Sequence, residues 1–262
     1  MRYFLLLAGL FFLMATPQAQ YKTDLRVIDE SARYSREKKF KTWTIAAGYG
    51  PAIPFTDITK YSLFPSSHLD FGFNASISKQ LYPSFAFELQ FINTDLYGQK
   101  RDVYFEGNMM DFTLNLQAYI NQMVNFPGPI NDRWNFYMKL GIGMQAFRSR
   151  LRYEADDAFI KVSDYSNETW DNRYVVLGYD KLNPEKKITR KGEMIIPLGA
   201  GALYRINNSF DIGIESTLRF SYEDNMDNIL SGATNDRYWY TAINLSFHPG
   251  KKSIRHSKWT YR

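Results

Sequence analysis

One stretch limits the fold of this chain more than any other: Lys191–Tyr222, KGEMIIPLGAGALYRINNSFDIGIESTLRFSY. Met194, Ile196, Leu198, Ala200, Ala202 and Tyr204 alternate there with Glu193, Gly199, Gly201 and Arg205. Beyond a turn at Asn207-Asn208, Phe210, Ile212, Ile214, Leu218 and Phe220 alternate with Asp211, Gly213, Glu215, Thr217 and Arg219. Successive side chains of a strand point to opposite faces, so this stretch reads as a hairpin with one apolar face. Each arm is long enough to cross a bilayer at a barrel tilt of roughly 45°.

The same period recurs along the chain. Strands are expected at Thr42–Gly50, His68–Ser78, Ser84–Thr94, Met109–Ile120, Arg133–Phe147, the two hairpin arms, and Asp236–His248. Pro51–Ser67, Asp95–Asn108, Arg148–Arg190 and Glu223–Asn235 read as long loops. Lys79–Pro83, Asn121–Asp132 with its Pro127-Gly128-Pro129, and the Asn-Asn turn read as the short connections. Long and short connections therefore alternate, the asymmetry of an even-stranded barrel with both termini on one side. The expected fold is all-β: an eight-stranded antiparallel up-and-down transmembrane β-barrel over residues 42–248.

Periodicity alone does not say which face looks inward, and a soluble lipocalin-type barrel would wrap its apolar face around a ligand. Three features favour the membrane form. The polar face is rich in Gly, Ala, Ser and Asn, which suits a narrow filled lumen. Aromatic residues cluster at strand ends, Trp43, Trp134, Tyr204, Phe210 and Phe247 at one end, Tyr49, Phe147, Tyr222, Tyr238 and Trp239 at the other. The apolar faces are also tall enough for a band of roughly 25 Å. A mean hydropathy of −0.40 agrees, since a barrel confines its apolar residues to one face. The chain has no cysteine, which excludes disulfides, thiolate metal sites and a lipid anchor on cysteine.

Outside the barrel, Met1–Gln20 reads as a secretory signal peptide, with Arg2 at its start, an apolar core over Phe4–Met14 and an exit region ending at Ala19. Residues 21–41 form a polar periplasmic segment with seven Lys/Arg against four Asp/Glu. Residues 249–262 form a second basic segment, and Gly250–Arg262 holds five Lys/Arg and no acid. Basicity thus concentrates on the side of the termini, where anionic headgroups or an acidic partner would meet it.

With these features in place, the chain resembles the OmpA-like small outer-membrane β-barrel proteins of Gram-negative bacteria. KITRKGEMIIPLGAGALYRINNSFDIGIESTLRF followed by NDRYWYTAINLSFHPG looks most like the versions found in Bacteroidota. The resemblance covers Thr42–His248. Tyr240-x-Ala242-x-x-Leu245-x-Phe247 is similar to the terminal signal read by the barrel-assembly machinery in such proteins. It departs from that signal in carrying Ala242 where Gly is usual and Leu245 for an aromatic residue, and the chain runs on past Phe247. The resemblance implies the outer membrane, both termini in the periplasm, and outer-membrane lipid and the assembly machinery as partners. It does not extend to a peptidoglycan-binding domain.

On the expected lumen face lie Asp70, Glu88, Asp111, Glu193, Asp211 and Glu215, with Lys139, Arg205 and Arg219. Charges inside so narrow a barrel must be paired or hydrated, so they read as a structural network that plugs it. Lys251, Lys252, Arg255, Lys258, Trp259 and Tyr261 in the tail read as a docking segment for lipid headgroups or for a periplasmic or membrane complex. Catalysis needs a nucleophile, a base and an orienting group brought together. His68 beside Ser66, Ser67 and Asp70 is compatible with hydrolase chemistry in composition only. Asp156-Asp157 and Asp224/Asp227 match no cation-loop spacing. No catalytic residue, metal site or cofactor is expected, and nucleic acid is implausible in that compartment. The readings left open are an envelope scaffold or accessory subunit, a narrow channel for small solutes, and an outer-membrane lipid hydrolase.

Overall fold

The computed structural model describes residues 43–56, 58–59, 69–82, 84–123, 133–164, 169–207, 209–222, 226–228 and 235–249. The signal peptide, the 21–41 segment, His68, Pro127-Gly128-Pro129, Asp224 and the tail from Gly250 onward lie outside the described residues.

The strands are β1 (Trp43–Phe55), β2 (Asp70–Tyr82), β3 (Phe85–Lys100), β4 (Val103–Tyr119), β5 (Trp134–Tyr153), β6 (Lys161–Asp164), β7 (Thr169–Tyr174), β8 (Val176–Leu177), β9 (Lys191–Arg205), β10 (Phe210–Ser221) and β11 (Arg237–Phe247). A short helix, α1 (Ile120–Met123), follows β4. Eight of the strands, β1–β5 and β9–β11, pair in order around a closed antiparallel sheet. Its seam joins β1 to β11, from Ile45 opposite Phe247 to Phe55 opposite Arg237. Closure leaves no unpaired strand edge, the condition a sheet must meet in lipid. At the turn between β9 and β10 the Asn207 carboxamide oxygen accepts the backbone N–H groups of Ser209 and Phe210 at 2.8 and 2.9 Å, an Asx turn.

Each membrane-facing strand is apolar outward and polar inward. On β5, Trp134, Met138, Leu140, Ile142 and Met144 are exposed, while Asn135, Lys139 and Gln145 are buried. From Trp134 to Met144 the strand rises roughly 33 Å, or roughly 25 Å along the normal at a tilt near 40°, the height of a hydrocarbon core. Lys79 lies over the Trp43 ring at 5.1 Å, and Trp134 meets Tyr204 edge-on at 5.1 Å, at the end of the belt near the termini.

Above the belt the polarity inverts, and no expectation from periodicity covers this. On β4 the buried set changes from Gln117, Asn115, Thr113 and Asp111 to Met109 and Phe105. Its other face changes from the exposed Leu116, Leu114 and Phe112 to Asn108 and Glu106. On β5 the interior passes from Gln145 to Phe147 and Leu151, and the exterior from Met144 to Arg148, Arg150 and Arg152. β3 does the same, with Ile92 and Leu96 inside and Asn93 and Asp95 outside. Where lipid touches the wall the outside must be apolar; where water touches it, burial of apolar surface resumes as the driving force.

Several expectations change accordingly. Asp95–Asn108 is not a loop: β3 and β4 run on and meet in a tight turn at Arg101-Asp102, Arg101 having φ 57°. Their Asn, Asp and Gly content resembles a loop because here the polar face is the outer one. β1 likewise continues through Pro51–Phe55, and Arg148–Arg190 opens with the upper end of β5 and contains β6, β7 and β8. Phe147 and Tyr238 do not join an aromatic girdle; at 2% and 0% exposure they point inward, sharing the parity of Gln145 and Tyr240. Ala118 is buried where β4 turns into α1, although the alternation along Met109–Ile120 groups it with the outward Phe112, Leu114 and Leu116.

A charge on the belt should be costly and the same charge above it cheap. Leu140→Arg is expected to destabilise the protein folded into lipid vesicles by about 2–4 kcal/mol, and Asn93→Arg by about 0–1 kcal/mol, read from urea unfolding followed by tryptophan fluorescence.

The candidate functional site is the layered lumen

The barrel interior is filled in three layers. Nearest the termini, Ala86, Tyr119 and Tyr137 pack with Leu203. Furthest from them, Ile92, Leu96, Phe105, Met109, Phe147, Leu151, Ile195 and Tyr238 belong to one apolar cluster. Between these lies the charge network.

Lys139 is its hub. Its ammonium donates to Glu88 Oε1 at 2.9 Å, Gln90 Oε1 at 3.0 Å and Glu215 Oε1 at 2.6 Å, three acceptors for its three protons. Glu88 also accepts from Asn115 at 3.1 Å and Gln117 at 2.6 Å. Glu215 accepts from Gln90 at 2.9 Å and from the Tyr137 hydroxyl at 2.7 Å. Tyr137 fits because Gly201 faces it: a Cβ there would run into the ring. One level up, Arg219 donates to Asp111 at 3.1 Å and to Gln90, and Tyr238 donates to Asp111. Gln90 thus joins the two ion-pair groups through one carboxamide. Lys139 and Arg219 have no exposed side-chain surface. Such charges persist only where each finds partners of this quality, since the cost of removing them from water is several kcal/mol per ion.

The structure brings five of the nine candidate lumen charges into this network: Glu88, Asp111, Lys139, Glu215 and Arg219. Glu193 accepts from Gln145 and Ser221 separately, on the far side of the Arg219 level. Arg205 and Asp211 stand opposite each other at the other end of β9 and β10. Asp70 is half-buried at the upper start of β2. In the proposed assembly signal, Tyr240 and Ala242 point into the lumen, and Leu245 and Phe247 point out.

One constellation escapes sequence reasoning. His248 Nε2 lies 2.9 Å from Asp211 Oδ2, and its Nδ1 lies 2.9 Å from Thr44 Oγ1. This hydroxyl–imidazole–carboxylate line joins β1, the end of β11 and β10 beside the seam. The only signal for it is that all three residues sit at equivalent strand ends. The adjoining cavity, lined by Thr44, Glu88, Gln117, Tyr137 and His248, has a volume of about 30 Å³. That is room for one or two waters, and the two contacts of His248 tie β10 and β1 together beside the seam. Asp227 is likewise committed to the fold, accepting the Ile58 N–H at 3.0 Å.

Above the belt, Arg152 pairs with Asp157 at 2.9 Å and with Glu106 at 3.6 Å, so Asp157 is engaged by a guanidinium rather than open to a cation. Tyr104 also donates to Asp157, and its own hydroxyl is pushed up to about 12, by burial first and by that bond second. The Tyr104 hydrogen bond, more than Arg152, holds the Asp157 carboxyl below the ordinary carboxylate range. A depressed folded value contributes stability above the unfolded pKa, about 3.9 for Asp, and that contribution is lost as pH falls through the folded value. Limited proteolysis within residues 154–160 should therefore be slow at pH 7 and faster near pH 3, and Asp157→Asn should remove the difference.

A closed barrel, apolar outside over a bilayer's thickness and filled by polar groups at its middle, defines a membrane-spanning β-barrel of the outer-membrane type. No family model matches the chain, and no curated protein is significantly similar to it. Solved structures similar to it include Ail, the attachment invasion locus protein of Yersinia pestis, 11% identical, covering 79% of this chain and 99% of that one, with a TM-score of 0.41. Neisserial surface protein A is 9% identical, covering 79% of this chain and 97% of its own, with a TM-score of 0.43. The outer membrane enzyme PagL is 10% identical, covering 78% and 97%, with a TM-score of 0.31. These likenesses concern the fold and decide nothing about activity.

Removing the hub should expose the cost of the buried acids. Lys139→Met leaves Glu88 and Glu215 without a cation and is expected to destabilise the barrel by about 3–5 kcal/mol. The triple change Glu88→Gln, Lys139→Met, Glu215→Gln should recover most of this in the same urea titration.

Proposed function

We propose that this protein is a non-enzymatic outer-membrane barrel, with both termini in the periplasm, that acts as an envelope scaffold or accessory subunit of a membrane protein complex. The observation that carries the reading is the filled interior. An apolar cluster closes the layer of paired charges on one side, Ala86, Tyr119, Tyr137 and Leu203 cover part of the other, and the cavity beside the network is about 30 Å³. A lumen built this way offers neither a substrate pocket nor an ion path among the described residues. What the barrel presents instead is surface: the extension of β3, β4 and β5 above the belt, and the basic segments that precede β1 and follow β11 in sequence. The tail residues Lys251, Lys252, Arg255, Lys258, Trp259 and Tyr261 combine cations with aromatic groups, a composition suited to an acidic partner at the periplasmic headgroup level.

The narrow-channel reading draws on the charged middle layer alone, and requires the apolar cluster to open. Gentle detergent extraction from the native membrane, with mass spectrometry of what co-purifies with the full chain and with a form lacking residues 250–262, tests the scaffold. A defined partner lost with the tail supports it. A lone barrel in both preparations, together with single-channel conductance that changes on Glu88→Gln, would replace it with the channel.

A further inference from the structure

The outer wall just above the belt holds two arginines that form no ion pair among the described residues. Arg148 stands outward on β5, opposite Asn108 of β4. Arg190, just before β9, reaches the same spot: one of its Nη groups donates to the Asn108 and Ala146 carbonyl oxygens at 3.3 Å each, and the other to Asn108 Oδ1 at 2.5 Å. Arg148 donates to the Ile188 carbonyl at 2.8 Å, and its buried Nε has no hydrogen-bond partner. Neither guanidinium lies within ion-pair distance of a carboxylate among the described residues. Their neighbours differ: Arg150 is paired with Glu106 at 3.0 Å, and Arg152 with Asp157. Burial, and then the Arg148 charge beside it, pull the Arg190 guanidinium below its ordinary pKa, the mark of two cations held together.

Between these side chains, β3–β5 and the segment around Tyr179 and Lys187 runs a cleft of about 440 Å³. Ligand sites of small molecules have volumes of this order. Asp70, Asp95 and Glu106 also line it, and Asp95, which accepts from Asn108 at 2.7 Å, offsets part of the Arg190 charge; with Arg148, Arg150, Lys187 and Arg190 against these three acids, the cleft keeps a net positive lining. Guanidinium groups present planar forks of N–H donors that match phosphate oxygens two at a time. The location is equally specific. Arg148 follows Met144, where the exposed apolar run of the belt on β5 ends, by two outward positions, roughly 10 Å higher along the normal and within an arginine side chain's reach of the headgroup phosphates.

We propose that this cleft binds a phosphate group at headgroup height, held between Arg148 and Arg190, with Lys187 as a third cation. The source is either a phosphorylated lipid of the leaflet on that side or a soluble phosphate ester. The site rests on the barrel spanning a bilayer, and the test separates failure of that reading from failure of the site.

The full chain is reconstituted into phosphatidylcholine nanodiscs with or without phosphatidic acid, whose headgroup is a bare phosphate monoester. Phosphatidic acid retained on the protein after detergent exchange is counted by native mass spectrometry. One retained molecule is expected, with apparent affinity falling about tenfold in Arg148→Gln and again in Arg190→Gln, as removal of one charge-assisted hydrogen bond each time would produce. Arg152→Gln is the control and should change it little. Modification of arginine by phenylglyoxal on the unmutated chain gives a second readout that no folding defect confounds: phosphatidic acid should shield Arg148 and Arg190 but not Arg152. If inorganic phosphate or glucose 1-phosphate at millimolar concentration shields them as well as the lipid does, the site stands and its source is soluble. Equal retention by all variants, or no selective shielding by any phosphate, overturns the site alone. A chain that does not insert into the discs overturns the membrane reading, and the site with it.

Discussion

The ammonium of Lys139 sets the terms for the rest of the interior. A bare cation in the middle of a barrel eight strands wide has no water to fall back on, so every group around it is conscripted. Glu88 and Glu215 supply the charge, and Gln90 supplies the third acceptor. Asn115 and Gln117 then donate to Glu88, and Tyr137 and the Gln90 amide to Glu215, so each acid accepts three bonds. The gap left by Gly201 follows from Tyr137, and the bridge to Arg219 and Asp111 follows from Gln90. A network this densely bonded at its hub favours one arrangement, because a rotamer that leaves Lys139 short of an acceptor strands a buried charge.

The second organising constraint comes from outside. One set of strands meets two solvents along its length, and each solvent dictates the opposite side-chain pattern. Over the belt the wall is inside out relative to a soluble protein. Beyond Met144 on β5 and Phe112 on β4 it reverts to the ordinary arrangement, and the apolar cluster around Phe105, Phe147 and Ile195 forms the core of that upper part. The same residues act as a lid over the charge network, separating it from the aqueous loops. The arginines fall where the two regimes meet, since the first outward positions above lipid are the first that tolerate charge.

How much of this was legible depended on which regime wrote the residues. Within the belt, period two carried the strands, their order and their inward faces, because lipid enforces strict alternation on every strand. The eight strands follow from that alternation, and the inward placement of Glu88, Asp111, Lys139, Glu215 and Arg219 follows once the small polar face and the tall apolar face assign lipid to the outside. Above the belt the rule reverses without changing period, so Asn93, Asp95 and Asn108 resembled loop residues although they lie mid-strand. Phe147 and Tyr238 were misplaced for a related reason. An aromatic residue at a strand end suits an interfacial girdle, but its parity decides, and both share the parity of lumen residues. Contacts between strands far apart in sequence, such as Arg190 with Asn108 or His248 with Thr44 and Asp211, have no local signature at all.

The upper extension of β3 and β4 has a consequence for how the molecule meets its surroundings. Nine residues separate Phe91, near the belt's upper limit, from Lys100 at the end of β3. At strand rise and barrel tilt that is roughly 20 Å, against a headgroup layer of roughly 5–8 Å. The tip at Arg101-Asp102 therefore stands clear of the lipid surface on a rigid, apolar-cored stalk rather than on a tether. A fluorophore or epitope placed there would be addressed from the aqueous phase at a fixed distance from the bilayer.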